Sequence, residues 1–553
     1  MLNQIRRWIE AHPRWTVTLL VGAMLGPFLA KPFNIDDPLF IWLAQQVQKH
    51  PGDPFGFSVN WYGVVSPMWK VTENPPVAGY YLALAGNIFG WNEIGLHLAG
   101  LLAAVMVILG TYRLARKFCG HPLLASCAVL FTPIFLVSAN TVMCDVLMLA
   151  FWIWALVFWV EGLEQNCFAK TIFAGLLVAL AMLTKYFGVA LLPLLAVHGA
   201  LEKRKLGKWM AGLLIPLAAL GVYQWFTLAL YGHPLFSAAA GYATSVQSEL
   251  GFSKLSGGLI ALAFIGGGMA TVPLAAPSLW RLRTVAGVVV ATALVGCVIC
   301  SNGLFLEKYP ALGTTTARAE VFAQFVFWAA GGVLVLLLAV EDVLKNIRDS
   351  RPWLLALWVA GTFFFAAFAN WTINGRSILP LLPAAGILLA RRWESGGLKQ
   401  PKVLQFGLAA SALLALFVTQ ADFQLAIAVR RSAKAVFAKY NSTQATIWFE
   451  GHWGFQYYME KQGAKAVDFK HGRQLPGDIL VIPQHNTDVS PPAPEIILRQ
   501  DQLSVPVPPG LTTWHRDVGA GFYSSVVGPL PFGFGNAPPE IVYLFELKAA
   551  VPK

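Results

Sequence analysis

A chain of 553 residues that is 56% hydrophobic and only 12% charged, with a mean hydropathy of +0.59, is too apolar for a water-soluble globule, whose charged fraction is nearer about one quarter. Its solvent is lipid. The net charge of +12 does not indicate nucleic acid, because Lys and Arg fall in short clusters between apolar runs and form no stripe on a polar domain. That distribution is the positive-inside pattern of an integral membrane protein. All six cysteines lie in or beside apolar segments, so no disulfide framework is implied, and the CxxC pair Cys297 and Cys300 reads as helix packing.

In chain order, the leader MLNQIRRWIEAHPR carries Arg6, Arg7 and Arg14 and precedes an apolar stretch at 15–30, which is predicted to be a retained first span with the N-terminus in the cytoplasm. The next basic cluster is Arg113, Arg116 and Lys117. It shares that side if one full span, 94–112, follows a long external loop, 31–93. The apolar part of this loop, PPVAGYYLALAGNIFG, is too short to cross and is predicted to lie along the interface. Further spans are predicted at 122–138, 143–160, 171–184, 186–200, 209–230, 256–280, 284–301, 321–340, 353–369, 377–390 and 404–420, about thirteen in all. Basic clusters fall at every second connection. From 421 the chain turns polar and Pro-rich, and ATIWF, KAVDF and DILVIP read as strands around a helical GFQYYMEKQG. The predicted fold is an α-helical polytopic membrane domain over 1–420 with a soluble α/β domain over 421–553 outside the membrane.

This topology gathers charges of both signs on the external face. Asp36 and Asp37 follow the first span, Glu73 lies in the same loop, Asp145 opens the fourth span, Lys185 joins the fifth and sixth, and Arg376 joins the eleventh and twelfth. A charged side chain near hydrocarbon costs about 2.5 to 3.5 kcal/mol on insertion scales, so such groups are usually paired or functional. Each alone also fits an interfacial charge reaching to water. The aromatic residues of the first loop, Phe33, Phe55, Phe57, Trp61, Tyr62 and Trp69, read mainly as an interfacial belt, with some placed to line a pocket.

The motifs IDDPLFIWLAQQV, TENPPVAGYYLALAGNIFGWNEIGLHLAGLLAAVMVILGTYRLARK, LAMLTKYFGVALLPLL and GRSILPLLPAAGILLARR resemble those of the protein O-mannosyltransferase and lipid A aminoarabinose transferase superfamily, GT-C class glycosyltransferases. The resemblance spans roughly 30–390. It implies transfer of a sugar from a polyprenyl-phosphate carrier to a lipid, protein or glycan acceptor, with inversion, on the periplasmic side of a bacterial inner membrane. It also implies that Asp36 and Asp37 are the catalytic acidic pair, Asp36 as the general base, and that Lys185 and Arg376 bind the donor phosphate. Glu73 and Asp145 are then substrate-binding or structural acids. The chain departs from the pattern in having Asn74 after Glu73 and Ser377 after Arg376. His233, in YGHPLF, is a candidate partner of Glu73 for a divalent metal, an incomplete set of two ligands.

The alternative is a transporter or flippase for an anionic lipid or solute, against which stand the absence of an internal repeat and of mid-span acids. Thirteen crossings from a cytoplasmic N-terminus end outside, so a reporter fused after Lys553 is expected to be active only outside the cytoplasm. Activity in the cytoplasm would overturn the parity and the shared face with it.

Overall fold

In a computed structural model of the chain, the structure describes residues 2–72, 74–250, 253–301, 309, 315–396, 400–440, 445–472 and 474–548. Most of the described chain before Tyr440 is helix. Among the described residues seven helices are long and apolar enough to cross a bilayer, and two sharply bent helix pairs raise the number to nine. All nine coincide with predicted spans. The other four predicted crossings are helical but short or interrupted. Pro13–Leu25 runs into the short turn Gly26–Phe28, Phe168–Thr184 has 17 residues, Tyr186–Ala190 breaks the entry to Leu191–Lys203, and Gly375–Ile378 and Leu379–Leu381 precede Leu382–Glu394. Proline accounts for part of this, since Pro27, Pro380 and Pro383 lack the N–H that a continuous helix uses. Thirteen helical residues rise about 20 Å, short of the roughly 30 Å of hydrocarbon.

Burial sorts the helices. Asp145–Glu164 is mostly buried, whereas Lys208–Tyr231 and Leu282–Ile299 are mostly exposed and present Leu214, Trp225 and Leu294 outward, as lipid-facing helices do. Phe168–Thr184 and Ala211–Tyr231 meet backbone to backbone. A Cβ on Gly175 would fall 2.1 Å from the Gly212 carbonyl oxygen, so only glycine fits this crossing.

The basic clusters that the positive-inside rule put on one face are joined there by shared acids. Glu161 accepts from Arg113 at 2.8 Å and from Lys170 at 2.6 Å, while Glu164 takes Lys117 at 2.9 Å and Arg351 at 3.7 Å. Arg391 pairs with Asp342 and Arg392 with Glu341. Residues so far apart in sequence meet only if their helix ends lie at one level.

At the other end the first loop folds into the core instead of lining an interface. Phe33, Phe55 and Trp61 are buried, against the expectation of an aromatic belt, while Tyr62 is exposed. Phe33 and Trp61 are covered by the last part of the chain, and Phe55 by Tyr231. Phe33 meets Tyr457 edge to face and Trp61 packs on His452. The loop helix Val77–Phe89, 13 residues long, lies against Asp37–Lys49, with Gly79 seated on Leu43.

Pro401–Tyr440 has 40 residues, about 60 Å of helix and twice what a bilayer needs, so it carries straight through the composition change at 421. Beyond it a five-stranded sheet runs in the order Lys465–Ala466, Ile447–Phe449, Ile479–Pro483, Glu540–Leu547 and Ile497–Val505. The first three strands are parallel and the last two antiparallel, with helix Trp453–Lys461 as a crossover between Ile447–Phe449 and Lys465–Ala466.

One buried ion pair ties the long helix to the start of the first loop. Lys31 Nζ and Asp422 Oδ2 stand 2.5 Å apart with no exposure of either side chain, and Lys31 also donates to the Asn140 carbonyl at 2.9 Å. Asp422 accepts further from Thr513 at 2.8 Å and from the Tyr523 hydroxyl at 2.9 Å. A buried pair broken on one side leaves an uncompensated charge. Lys31→Ala is therefore expected to cost about 3 to 5 kcal/mol, whereas Lys31→Met with Asp422→Leu recovers most of it. Thermal unfolding of the three proteins in detergent checks this, and a double variant no better than the single one would contradict it.

Candidate active site

Four of the six charged residues read from the sequence meet at the end of the helices where the first loop folds. Asp145 opens the helix Asp145–Glu164 and its side chain is 1% exposed. Lys185, at the break between Phe168–Thr184 and Tyr186–Ala190, pairs with Asp145 Oδ1 and keeps 23% of its side chain exposed. Arg376 approaches Asp145 Oδ2 at 4.0 Å and donates from Nη1 and Nη2 to Asp36 Oδ2, both at 3.2 Å. One enclosed carboxylate thus holds two cations. One of those cations grips the more exposed Asp36, whose side chain is 28% accessible.

The local chain explains these positions. Ile35 sits at φ +47°, a conformation that a β-branched residue adopts only when its surroundings impose it. The two acids that follow it part company. Asp36 meets Arg376, while Asp37 is fully buried and accepts from the Asn34 N–H at 2.9 Å and the Val142 N–H at 3.0 Å. Asp37 fastens the first loop to the 140s turn and has no exposed surface. Arg376 is carried on a locked turn: Asn374 accepts from the Ser377 N–H at 2.8 Å, and the Ser377 hydroxyl lies 3.3 Å from the Asn374 N–H, a reciprocal cap. Ser377, a departure from the family pattern, therefore has a structural use. Gly375 packs so closely on Phe522 that a Cβ would come within 2.8 Å of the ring.

Three residues that the sequence reading passed over complete the site. Lys31 and Asp422 form the clamp described above, and Tyr523, whose hydroxyl donates to Asp422, lies under the Arg376 guanidinium with 5.8 Å from its carbon to the ring centroid. Burial, and then the Asp422 carboxylate, push the Tyr523 hydroxyl upward and keep it protonated as a donor. Lys31 was visible as a charge ending the first apolar run, and Asp422 as an acid on the last one. Nothing in the sequence paired them. Glu73 lies outside the described residues. His233 stacks on Trp69, 4.9 Å between ring centroids, and among the described residues no group of three His, Cys, Asp or Glu side chains converges as a metal site.

This is a helical, multi-span membrane protein with carboxylates and cations assembled at one end of its helices. Residues 73–219, about a quarter of the chain, match the family model described as dolichyl-phosphate-mannose-protein mannosyltransferase. Over those residues the chain resembles that family, in keeping with its motifs. No curated protein matches it significantly in sequence. Among solved structures it is similar to the oligosaccharyltransferase of Archaeoglobus fulgidus tethered to an acceptor peptide, with 15% identity, 83% of this chain covered and a TM-score of 0.47. The chain spans 64% of the length of that protein. It is also similar to ArnT of Cupriavidus metallidurans bound to undecaprenyl phosphate, with 14% identity, 86% of this chain and 93% of that one covered and a TM-score of 0.42.

Desolvation pushes Asp37 up to about 7, against the lowering effect of Lys31 and the two backbone N–H groups. Below about pH 4 both folded and unfolded chains hold this proton, so the group has no effect. From about 4 to about 7 the unfolded chain loses it first, and stability falls as pH rises. The melting temperature of the wild type, taken relative to Asp37→Asn, is expected to drop across that window and level off above it. A difference that stays constant from pH 4 to 8 would refute this.

Proposed function

We propose that the protein is an inverting glycosyltransferase of the bacterial inner membrane. In this reading it transfers a sugar from a polyprenyl-phosphate donor to an acceptor hydroxyl on the periplasmic side, with Asp36 as general base. The observation that carries the reading is the Asp36–Arg376–Asp145–Lys185 cluster, a partly exposed carboxylate beside two cations that share one buried counter-ion.

The chemistry follows from the charges. A hydroxyl is a weak nucleophile until its proton is removed during attack, and a carboxylate within hydrogen-bond reach accepts that proton. The acceptor oxygen attacks the anomeric carbon, the carbon–oxygen bond to the carrier phosphate breaks, and its electron pair leaves on the phosphate oxygen. That developing charge is met by cations: Arg376 by two parallel N–H groups, Lys185 as a point charge. Without donor, both cations lean on carboxylates. An arriving phosphate draws Arg376 from Asp36, which frees Asp36 to accept from the acceptor hydroxyl. Asp145 is a positioning residue, because it holds Lys185 and Arg376 together with the carrier absent. Asp37 anchors the loop that presents Asp36.

The test is transfer from a polyprenyl-phosphate sugar by the full-length protein. Asn is nearly isosteric with Asp but takes no proton, so Asp36→Asn is expected to lower kcat by about 10²- to 10⁴-fold with polyprenyl-phosphate affinity nearly unchanged. Lys185→Ala is expected to weaken polyprenyl-phosphate binding and also to lower the melting temperature, since Asp145 loses its closest partner. Transfer by Asp36→Asn within a few-fold of wild type would exclude Asp36 as the base.

A further inference from the structure

The sheet region carries a cleft that the reaction above does not use. Its volume is about 200 Å³, room for a single sugar unit, and its walls include Trp453, His485, Trp514, His515, Arg516 and Asp517. The two indoles stand nearly perpendicular, 5.6 Å between centroids, and both are half-buried. Trp453 is held at φ +65°, just after Gly451 at φ +80°. A bulky side chain kept in the left-handed region marks a position fixed for a purpose beyond packing.

His515 supplies the polar counterpart. It is 5% exposed, and its Nδ1 accepts the Asp517 N–H at 3.2 Å, which puts the ring proton on Nε2. Burial lowers this imidazole to about 4, so the ring is neutral at pH 7. Nε2 nevertheless has no partner, although a buried N–H is normally satisfied. On the rim, Arg516 and Asp517 are exposed and adjacent, a donor fork beside a two-oxygen acceptor.

Flat apolar faces next to separate donors and acceptors suit a ring that is apolar on its C–H face and hydroxylated around its edge. A phosphate would meet Asp517 and, behind His485, Glu540 at 3.4 Å. The cleft also adjoins the candidate active site on two sides. The Trp514 ring lies 6.0 Å from that of Tyr523, which underlies Arg376. Gly454, next to Trp453, sits so close to the first loop that a Cβ would be 2.3 Å from the Phe33 carbonyl oxygen.

We propose that this cleft binds a saccharide unit of the acceptor, so that the acceptor is a glycan or glycoconjugate and not a bare lipid or peptide hydroxyl. The word acceptor rests on the transferase reading, but the binding itself does not. The test uses the full-length protein in lipid nanodiscs and a panel of methyl hexopyranosides, N-acetylhexosaminides and pentopyranosides, observed by saturation-transfer NMR and titrated for Kd. At least one glycoside is expected to bind through its ring C–H protons. Its Kd is expected to rise about tenfold or more in Trp514→Ala and by a few-fold in Arg516→Ala, whose exposed side chain is not needed for folding. Trp514→Phe keeps an aromatic face and is expected to retain most of the affinity, and Asp36→Asn to bind as wild type does. Failure of the whole panel to bind, or a Kd indifferent to both Trp514→Ala and Arg516→Ala, overturns the cleft. Saccharide binding by a protein that transfers no sugar overturns the transferase reading instead and leaves the cleft standing.

Discussion

A carboxylate enclosed among helices has to be balanced, and Asp145 is balanced twice. Its own burial, 1% exposed at the start of a mostly buried helix, removes water as a partner, so Lys185 and Arg376 are drawn to it from two other chain breaks. Those breaks would otherwise be weak points, since each interrupts a run of helix. Charge makes them meeting points. The same carboxylate shares Arg376 with the more accessible Asp36, so the four side chains form one connected set.

The opposite ends of the helices show the same physics used for a different purpose. There the cations are more numerous, and Glu161 and Glu164 each serve two of them at the rim. These pairs are partly open to solvent and contribute little singly, but together they set the helix ends at a common depth. A cavity of about 420 Å³ lies among Arg14, Arg113, Arg116, Lys117 and Glu161 on that face. It is a gap within this network. One end of the bundle is thus a ring of neutralised charge, and the other holds charge in a form that can still exchange partners.

Much of this was legible in the sequence because hydrophobic length and basic clusters obey simple rules. Residues such as Lys170 and Arg351 fell on one face by counting alone, and Asp36, Asp145, Lys185 and Arg376 on the other. The limits were equally physical. Apolar length does not show where Pro27 or Pro380 breaks a helix, so spans that look continuous in composition are built from short pieces. Aromatic content did not reveal that Phe33 and Trp61 would be covered, because their cover comes from Tyr457 and His452, roughly four hundred residues later. Asp36 and Asp37 are neighbours with the same chemistry, and only the left-handed turn at Ile35 separates the accessible acid from the enclosed one.

The clamp between Lys31 and Asp422 bears on how the protein is made. Its two halves are 391 residues apart, the first leaving the ribosome early and the second only after the other predicted spans. A chain in the course of insertion therefore carries an unbalanced ammonium beside the first span until the long final helix arrives. The first loop is tied to the 140s turn by Asp37 well before that, but Arg376 gains its Tyr523 neighbour only after the long helix is made. A nascent chain stalled before its last helix therefore lacks both the partner of Lys31 and the ring beneath Arg376.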